Sequence, residues 1–385
     1  MISSESQYTK LRWICTVIGL VLYLVDVGTD IVLGITYFIA RDFVWSGLTL
    51  LFMLLGAVST QIFSYAWYRD DMRNVLINPD GNSRISGMSK CGLTLLHLSG
   101  MGVFTRYYHL LKKGYRAVWS KPSDNIIDEK DQRLRLFGLA TDLSMLKLFE
   151  TFLESVPQLL LQLYIILGHD YRSITQYVSL VGSFVNITWS IVDYRRCLRR
   201  SLTHVNEMPS GLPLAVYMLY KLLTITSHIL SYTLLLVLNI YSTIAMLIIW
   251  TLGTMWAFWL QTNFCTSKGL EYLYRAIVGV ILTFTFFNVK GQHTRSAMCV
   301  YYVLHVLVNL SAPVLLMLLQ PEVKDTEYFC PVTLLIEVTT VLGLLCLVVY
   351  YTLLHPRENP RQSDEVDGQY MEPRSVERMT RFLQP

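Results

Sequence analysis

Two pairs of acidic residues stand four apart inside apolar runs: Asp26 and Asp30 in VLYLVDVGTDIVLG, and Glu150 and Glu154 in LSMLKLFETFLESVPQLLLQLY. A helix stacks positions i and i+4 on one face, so each pair offers two carboxylates to the same surroundings. Lys147 stands one turn before Glu150, Asp142 opens the same run, and Asp193 with Arg196 closes a later one, VDYRRCLRR. An ionised side chain at the bilayer centre costs about 2.5–3.5 kcal/mol on insertion scales, so four carboxylates facing lipid would cost on the order of 10 kcal/mol. They must face an interior, pair with bases, take protons, or meet water and head groups. Spacing alone allows a purely structural reading, with Lys147–Glu150 and Asp193–Arg196 as ion pairs and the aspartates paired to a base on another helix. Like charges at i,i+4 repel, however, and packing alone gives little reason to keep two such pairs. A polar track across an apolar medium suits a ligand with a charged head and an apolar tail, such as a phospholipid. An ion or proton path suits it equally, and composition does not choose between them.

The elements that carry these residues are membrane helices. Hydrophobic residues make up 53% of the 385-residue chain and charged residues 16%, against about 25% charged in soluble domains. Mean hydropathy is +0.41. These values exclude a soluble enzyme, a secreted disulfide scaffold, a nucleic-acid reader and a disordered regulator. The seven cysteines show no CxxC spacing and fit free thiols in a reducing environment. A crossing needs roughly 20 apolar residues. Residues 13–39, 47–68, 136–167, 173–194, 212–236, 240–261, 297–319 and 332–354 qualify. Segments 93–111 and 270–289 are apolar but carry Arg106 and Arg275 in mid-run, which marks them as re-entrant or interfacial. The expected fold is an all-α polytopic membrane protein of about eight transmembrane helices plus two re-entrant helices.

Basic residues then set the orientation. With eight crossings, Lys10, Arg12, the stretch from Arg69 to Arg135, the arginines at 195–200, Lys290, Arg295 and the tail arginines share one side, and Arg41, Arg172 and Lys324 the other. The positive-inside rule makes both termini cytosolic. The order of two spans, a short Arg-bearing helix and two spans occurs twice, giving a cytosolic N-terminus (1–12), a first membrane repeat (13–195), a basic linker (196–211), a second repeat (212–354) and a cytosolic tail (355–385). Paired halves of this kind often frame a transport pathway.

Enzymatic signatures are lacking: no GxxxxGK[ST], HExxH, GxSxG or GxGD string occurs, and no cofactor or metal is expected. An intramembrane hydrolase using Glu150 and Glu154 as acid and base would want a nucleophile or metal that the sequence does not offer. Asn186-Ile-Thr and Asn309-Leu-Ser match the glycosylation sequon but lie within spans. The tail holds the sharpest local string, Asp364-Glu365-Val366-Asp367-Gly368, the preferred recognition pentapeptide of executioner caspases, with cleavage after Asp367. Beyond it, Arg374, Arg378, Arg381 and Phe382 make a short basic segment suited to dock on a carboxylate-lined cavity.

Together, VDVGTDIVLG, TDLSMLKLFETFLESVPQLLLQLY, VDYRRCLRR, LYRAIVGVILTFTFFNV and a caspase string near the C-terminus resemble the XK-related family of apoptotic phospholipid scramblases, leaning toward its eighth member with the ninth as the alternative. The resemblance covers nearly the whole chain. It implies a plasma-membrane protein that moves phospholipids between leaflets without ATP and exposes phosphatidylserine after caspase removes the tail. It also implies a charged interior track at Asp26, Asp30, Asp142, Glu150, Glu154, Asp193 and Arg196, to which spacing adds Lys147. Implied partners are membrane phospholipids, executioner caspases, a second copy of the chain after cleavage, and no nucleic acid. For members like the eighth, a single-span chaperone of the basigin/neuroplastin type is implied too, and for members like the ninth it is not. Two positions depart from the family pattern: Arg12 stands where an acid is expected, and His228 where the fifth span would carry arginine. The alternative reading is a gated ion channel or proton-coupled transporter using the same carboxylates.

Overall fold

A computed structural model of the chain describes residues 8–73, 90–119, 126–168, 174–201, 208–209, 211–289 and 294–355. Among them the regular structure is helical, as expected. The helices are α1 (Lys10–Ile39), α2 (Phe43–Arg73), α3 (Lys90–Leu98), α4 (Gly102–Trp119), α5 (Ile126–Glu150), α6 (Val156–Gly168), α7 (Ile174–Ser201), α8 (Leu212–Leu238), α9 (Ser242–Trp259), α10 (Lys268–Phe284), α11 (Thr294–Leu319) and α12 (Phe329–Val349). Seven described segments are long and apolar enough to cross a membrane, and they coincide with seven of the eight expected spans. The eighth, α7, has 28 residues and so the length. Its polar positions (Gln176, Asn186 and Thr188, then Asp193 among arginines) keep its hydropathy below that of the others. The chain divides into two compact units, 1–154 and 155–385.

In the first unit, α1 and α2 form a hairpin. Arg41 takes a left-handed φ of 68° in the turn, and Ser46 Oγ donates to the Gly34 carbonyl at 2.9 Å, tying the two helices together. Only 11% of the most apolar stretch of α1 is buried, so its leucines, valines and isoleucines face outward, as lipid contact requires.

The segment expected at 93–111 as one helix is two. Ser99, Gly100 and Met101 break it, with Gly100 at φ 79° where only glycine is unstrained. A helix break at membrane depth exposes backbone groups that must find partners within the protein. Gln61 of α2 supplies both: its Nε2 donates to the Gly100 carbonyl at 2.9 Å, and its Oε1 accepts from the Gly102 N–H at 3.0 Å. Gly102 is packed so tightly that a Cβ there would lie 2.3 Å from Gln61 Oε1 and 2.5 Å from His97. Gly102→Val should therefore destabilise the fold by about 1–3 kcal/mol through overpacking, read as a lowered melting midpoint in detergent. Gly28→Ala, which meets nothing within 4 Å, should leave the midpoint unchanged.

A five-residue π-helical turn, Thr151–Ser155, joins α5 to α6. Pro157 follows it, lacks an N–H and has a ring that would crowd the carbonyl four residues back. A proline inside a helix ordinarily breaks or kinks it. The chain instead absorbs it by widening one turn, a device frequent at functional sites. The helix stays continuous, and Glu154 is carried on the widened turn.

In the second unit, α8 is the central element: its buried residues run from Tyr217 to Leu234, and every residue from Ser227 to Leu234 is buried. Gly343 of α12 lets that helix approach closely, since a Cβ would stand 2.9 Å from Thr224 of α8. Helices α9 and α10 pair as a hairpin in which Gly253 and Gly279 oppose each other, with Trp250 Nε1 donating to the Ala276 carbonyl at 3.0 Å. Small residues of this kind are what let membrane helices touch. The second Arg-bearing segment, expected to reach 289, is helical only to Phe284.

The two expected repeats share a side-chain device. In the first unit Arg106 Nε donates to Ser64 Oγ at 2.9 Å and Nη2 to the Ser64 carbonyl at 3.1 Å. In the second, Arg275 Nε donates to Thr262 Oγ1 at 2.9 Å and Nη2 to the Thr262 carbonyl at 2.5 Å. Each guanidinium thus clamps one hydroxyl residue by side chain and backbone, and each has an acidic partner, Asp142 at 3.0 Å and Glu271 at 3.5 Å.

Candidate functional site: a buried carboxylate track

The acidic residues of α1 and of the α5–π-turn segment lie in the first unit. Asp30 is buried and Asp26 half-buried on α1. Glu150 and Glu154 are each 4% exposed. Their fields overlap, for Asp26 acts on both glutamates and Asp30 on Glu154. The structure therefore brings the two i,i+4 pairs into one electrostatic neighbourhood.

Lys147 is the base within it. Its Nζ donates to Glu150 Oε2 at 2.8 Å, forming the ion pair that spacing suggested. The same Nζ lies 4.3 Å from the centroid of the Tyr23 ring, a cation–π contact. Tyr23 is held between Phe104, edge to face at 5.9 Å, and Tyr107, stacked at 6.1 Å. Aromatic framing of the ammonium was not anticipated, although Tyr23 stands three residues before Asp26 and so on its face.

Glycine makes room for Glu154. A Cβ on Gly56 of α2 would lie 2.4 Å from Glu154 Oε2 and 2.9 Å from its Cβ. The backbone of α2 thus comes up against this carboxyl group where any other residue would displace it. No sequence pattern flagged Gly56.

Asp142 sits differently. It is ion-paired to Arg106 at 3.0 Å, with the two side chains 9% and 1% exposed. The guanidinium also lies over Tyr68 at 4.2 Å and, with Ser64, fixes α4 against α2 and α5. Its geometry is that of a clamp between helices. Asp193 and Arg196 lie on α7 of the second unit, both half-buried, and Asp193 Oδ1 accepts a weak bond from Cys197 Sγ at 3.8 Å.

The two departures from the family pattern have defined surroundings. Arg12 lies over the rings of Phe137, at 5.3 Å, and Tyr8, at 5.8 Å. His228 is buried in a polar network: its Nδ1 is 3.0 Å from Asn309 Oδ1, its ring stacks on His305 at 4.4 Å, and Asn309 Nδ2 reaches Ser227 and Thr340. Asn309, dismissed as a sequon, is the hub of that network. Nearby in sequence, Lys221 Nζ donates to Thr285 Oγ1 and the Phe286 carbonyl, both at 3.0 Å, holding the extended chain that follows α10. The caspase string 364–368 and the tail residues Arg374, Arg378, Arg381 and Phe382 lie outside the described residues. The described residues contain no cluster of three or more His, Cys, Asp or Glu arranged to hold a metal.

Outward-facing apolar helices around buried acids define a multi-pass, all-α membrane protein with a charged interior. Residues 14–356 match the family model described as XK-related protein, and the chain belongs to the XK-related family. It is 53% identical to XK-related protein 9 of Tetraodon nigroviridis over 382 residues, 99% of this chain and 100% of the relative. It is 31% identical to XK-related protein 8 of the same fish over 353 residues (91% and 84%) and 33% identical to XK-related protein 8 of Pan troglodytes over 364 residues (91% and 86%). Among these relatives the similarity leans to the ninth member.

Proposed function

We propose that this XK-related protein is a phospholipid scramblase, not an enzyme, which moves lipids between leaflets without ATP. One observation carries the reading. Asp26 and Asp30 lie on a helix whose other faces are apolar and exposed, and their fields meet those of Glu150 and Glu154. A lipid head group can follow such a track while its acyl chains stay in the hydrocarbon alongside α1. Uncompensated transfer of a charged head through the bilayer core is what makes spontaneous exchange slow, and the track lowers that cost.

In this reading the protein works in the plasma membrane with both termini cytosolic, and caspase removal of the tail exposes phosphatidylserine. Similarity to the ninth member favours a route to the surface that needs no single-span chaperone. The test is reconstitution of the purified chain, with and without caspase, in vesicles carrying labelled lipid. Lipid exchange without ATP supports the scramblase. Ion flux without lipid exchange means a channel or transporter, and altered lipid means a hydrolase.

Topology has its own test. Single cysteines are placed at 120 and within 320–329 in a background lacking the exposed Cys91, Cys299 and Cys330. An impermeant thiol reagent outside intact cells should label 320–329 and miss 120. Strong external labelling at 120 would invert the scheme.

A further inference from the structure

Helix α4 has two unlike faces. Val103, Arg106, Tyr107, Leu110 and Gly114 are buried in the first unit. Gly114 stands so near α1 that a Cβ there would lie 2.9 Å from the Tyr8 ring and 3.2 Å from Trp13. The outer stripe, at the same spacing of three and four, reads Tyr108, Lys112, Tyr115, Arg116 and Trp119, all exposed. On α1 the outward positions are leucine, valine and isoleucine, as hydrocarbon requires, whereas this stripe alternates aromatic rings with cations. Tyr115 stacks on Trp119 at 4.8 Å, and Trp13 of α1 meets Trp119 edge to face at 5.2 Å. Tyrosine and tryptophan set among lysine and arginine are the make-up of a surface that lies in the head-group zone of a bilayer.

The charge at this end is of one sign. The 18 residues of α4 include no acid. Lys113 is exposed beside Lys112, and the first turn of α1 adds an exposed Lys10. Trp13 Nε1 donates to the Leu111 carbonyl at 3.0 Å, which holds that first turn against this end of α4. Cations near the end of a helix also offset its dipole, but that task does not call for exposed rings between them.

We propose that this surface, Lys10 with Lys112, Lys113, Arg116 and Trp119, binds an anionic phospholipid of the cytosolic leaflet, best one whose head carries more than one negative charge. Clusters of basic residues on an amphipathic helix at the membrane surface are suited to such lipids. The ammonium and guanidinium groups take the phosphates, while Tyr115 and Trp119 lie against the glycerol and the upper acyl chains. The lipid is a retained ligand on the outer face of α4, away from the buried acids, and the proposal does not rest on the scramblase reading. It takes only the leaflet from the proposed orientation, which a cysteine at 120, the position after Trp119, tests separately.

The full chain in detergent is titrated against a fluorescent short-chain phosphatidylinositol bisphosphate, with binding read as polarisation. Unlabelled lipid of the same kind should compete, and short-chain phosphatidylcholine should not. Each basic residue at an anionic surface is worth about fivefold in binding. Lys112→Gln, Lys113→Gln and Arg116→Gln together should therefore weaken binding at least tenfold, while the melting midpoint without lipid stays at the parental value. Lys268→Gln, at an exposed lysine of the second unit, should leave binding within about twofold. In the parent, raising salt should weaken binding several-fold, because exposed charges are screened. Parental affinity in the folded triple variant, equal competition by phosphatidylcholine, or binding indifferent to salt would each overturn the site. Inositol trisphosphate competing as well as the lipid would assign it to a soluble anion and overturn the membrane ligand.

Discussion

Arg106→Met should leave little folded protein at the cell surface. Arg106 is 1% exposed and binds three groups on two helices: Asp142 on α5, and the hydroxyl and carbonyl of Ser64 on α2. Removing one member of a buried ion pair strands the other, at about 3–5 kcal/mol, because the remaining charge keeps its desolvation and loses its partner. Most domains are stable by only about 5–15 kcal/mol in all. The loss also frees a backbone carbonyl inside the helix packing and removes a cation from the face of Tyr68, 4.2 Å away. Arg106→Lys keeps the charge but not the planar fork that reaches Ser64 twice, and should fall between parent and Arg106→Met. Arg106→Met with Asp142→Leu removes both charges together and should recover a substantial part of the loss, since paired apolar replacements are often tolerated. Yield of monodisperse protein on size exclusion and the melting midpoint in detergent report all three. If Arg106→Met melts with the parent, the Arg106–Asp142 pair does not clamp the helices.

That clamp also marks how far the sequence carried. Spans were legible because a run of about 20 apolar residues has one physical meaning in a membrane protein. The Lys147–Glu150 pair was legible because three residues along a helix fix the distance between side chains. Arg106–Asp142 was not, for the partners are 36 residues apart and only the packing of α4 against α5 joins them. The signal was half present: an arginine inside an apolar segment demands an acid, and Asp142 was among the acids available. Gln61 and Gly56 were out of reach, because each is defined by what lies opposite it, a broken helix in one case and a carboxyl group in the other. The accommodation of Pro157 was out of reach too, because proline forbids one hydrogen bond while a π turn removes the need for that bond at little cost in continuity. Asn309 was legible only as a sequon buried within a span, and its hydrogen-bonding role with His228 and His305 in the core of the second unit needed the packing.

Asp367→Ala should give a protein that reaches the surface and stays silent through apoptosis, the largest functional change expected of any single substitution. The caspase string spans 364–368 and ends beside a segment holding Arg374, Arg378, Arg381 and Phe382. In the proposed reading the attached segment docks on the protein, and a short tether would give it an effective concentration in the range of about a millimolar. A weak contact is then enough to keep it bound. In the proposed reading a cut would free the peptide from Gly368 onward to dilute into the cytosol, where the same weak contact would no longer hold it. Three arginines supply attraction to acidic groups and Phe382 an apolar anchor, so neutralising the arginines should weaken docking more at low salt than at high salt. Truncation after Asp367 should be active or primed without caspase, and Arg374, Arg378 and Arg381 changed together to Gln should raise activity before any cut. Phosphatidylserine on the surface is read with an added binding protein, before and after an apoptotic stimulus, in cells without other scramblases. Exposure by Asp367→Ala at the parental rate would separate the caspase string from activation. Silence of the truncated chain in such cells, with normal exposure by the cut parent, would instead show that the released peptide still takes part in opening.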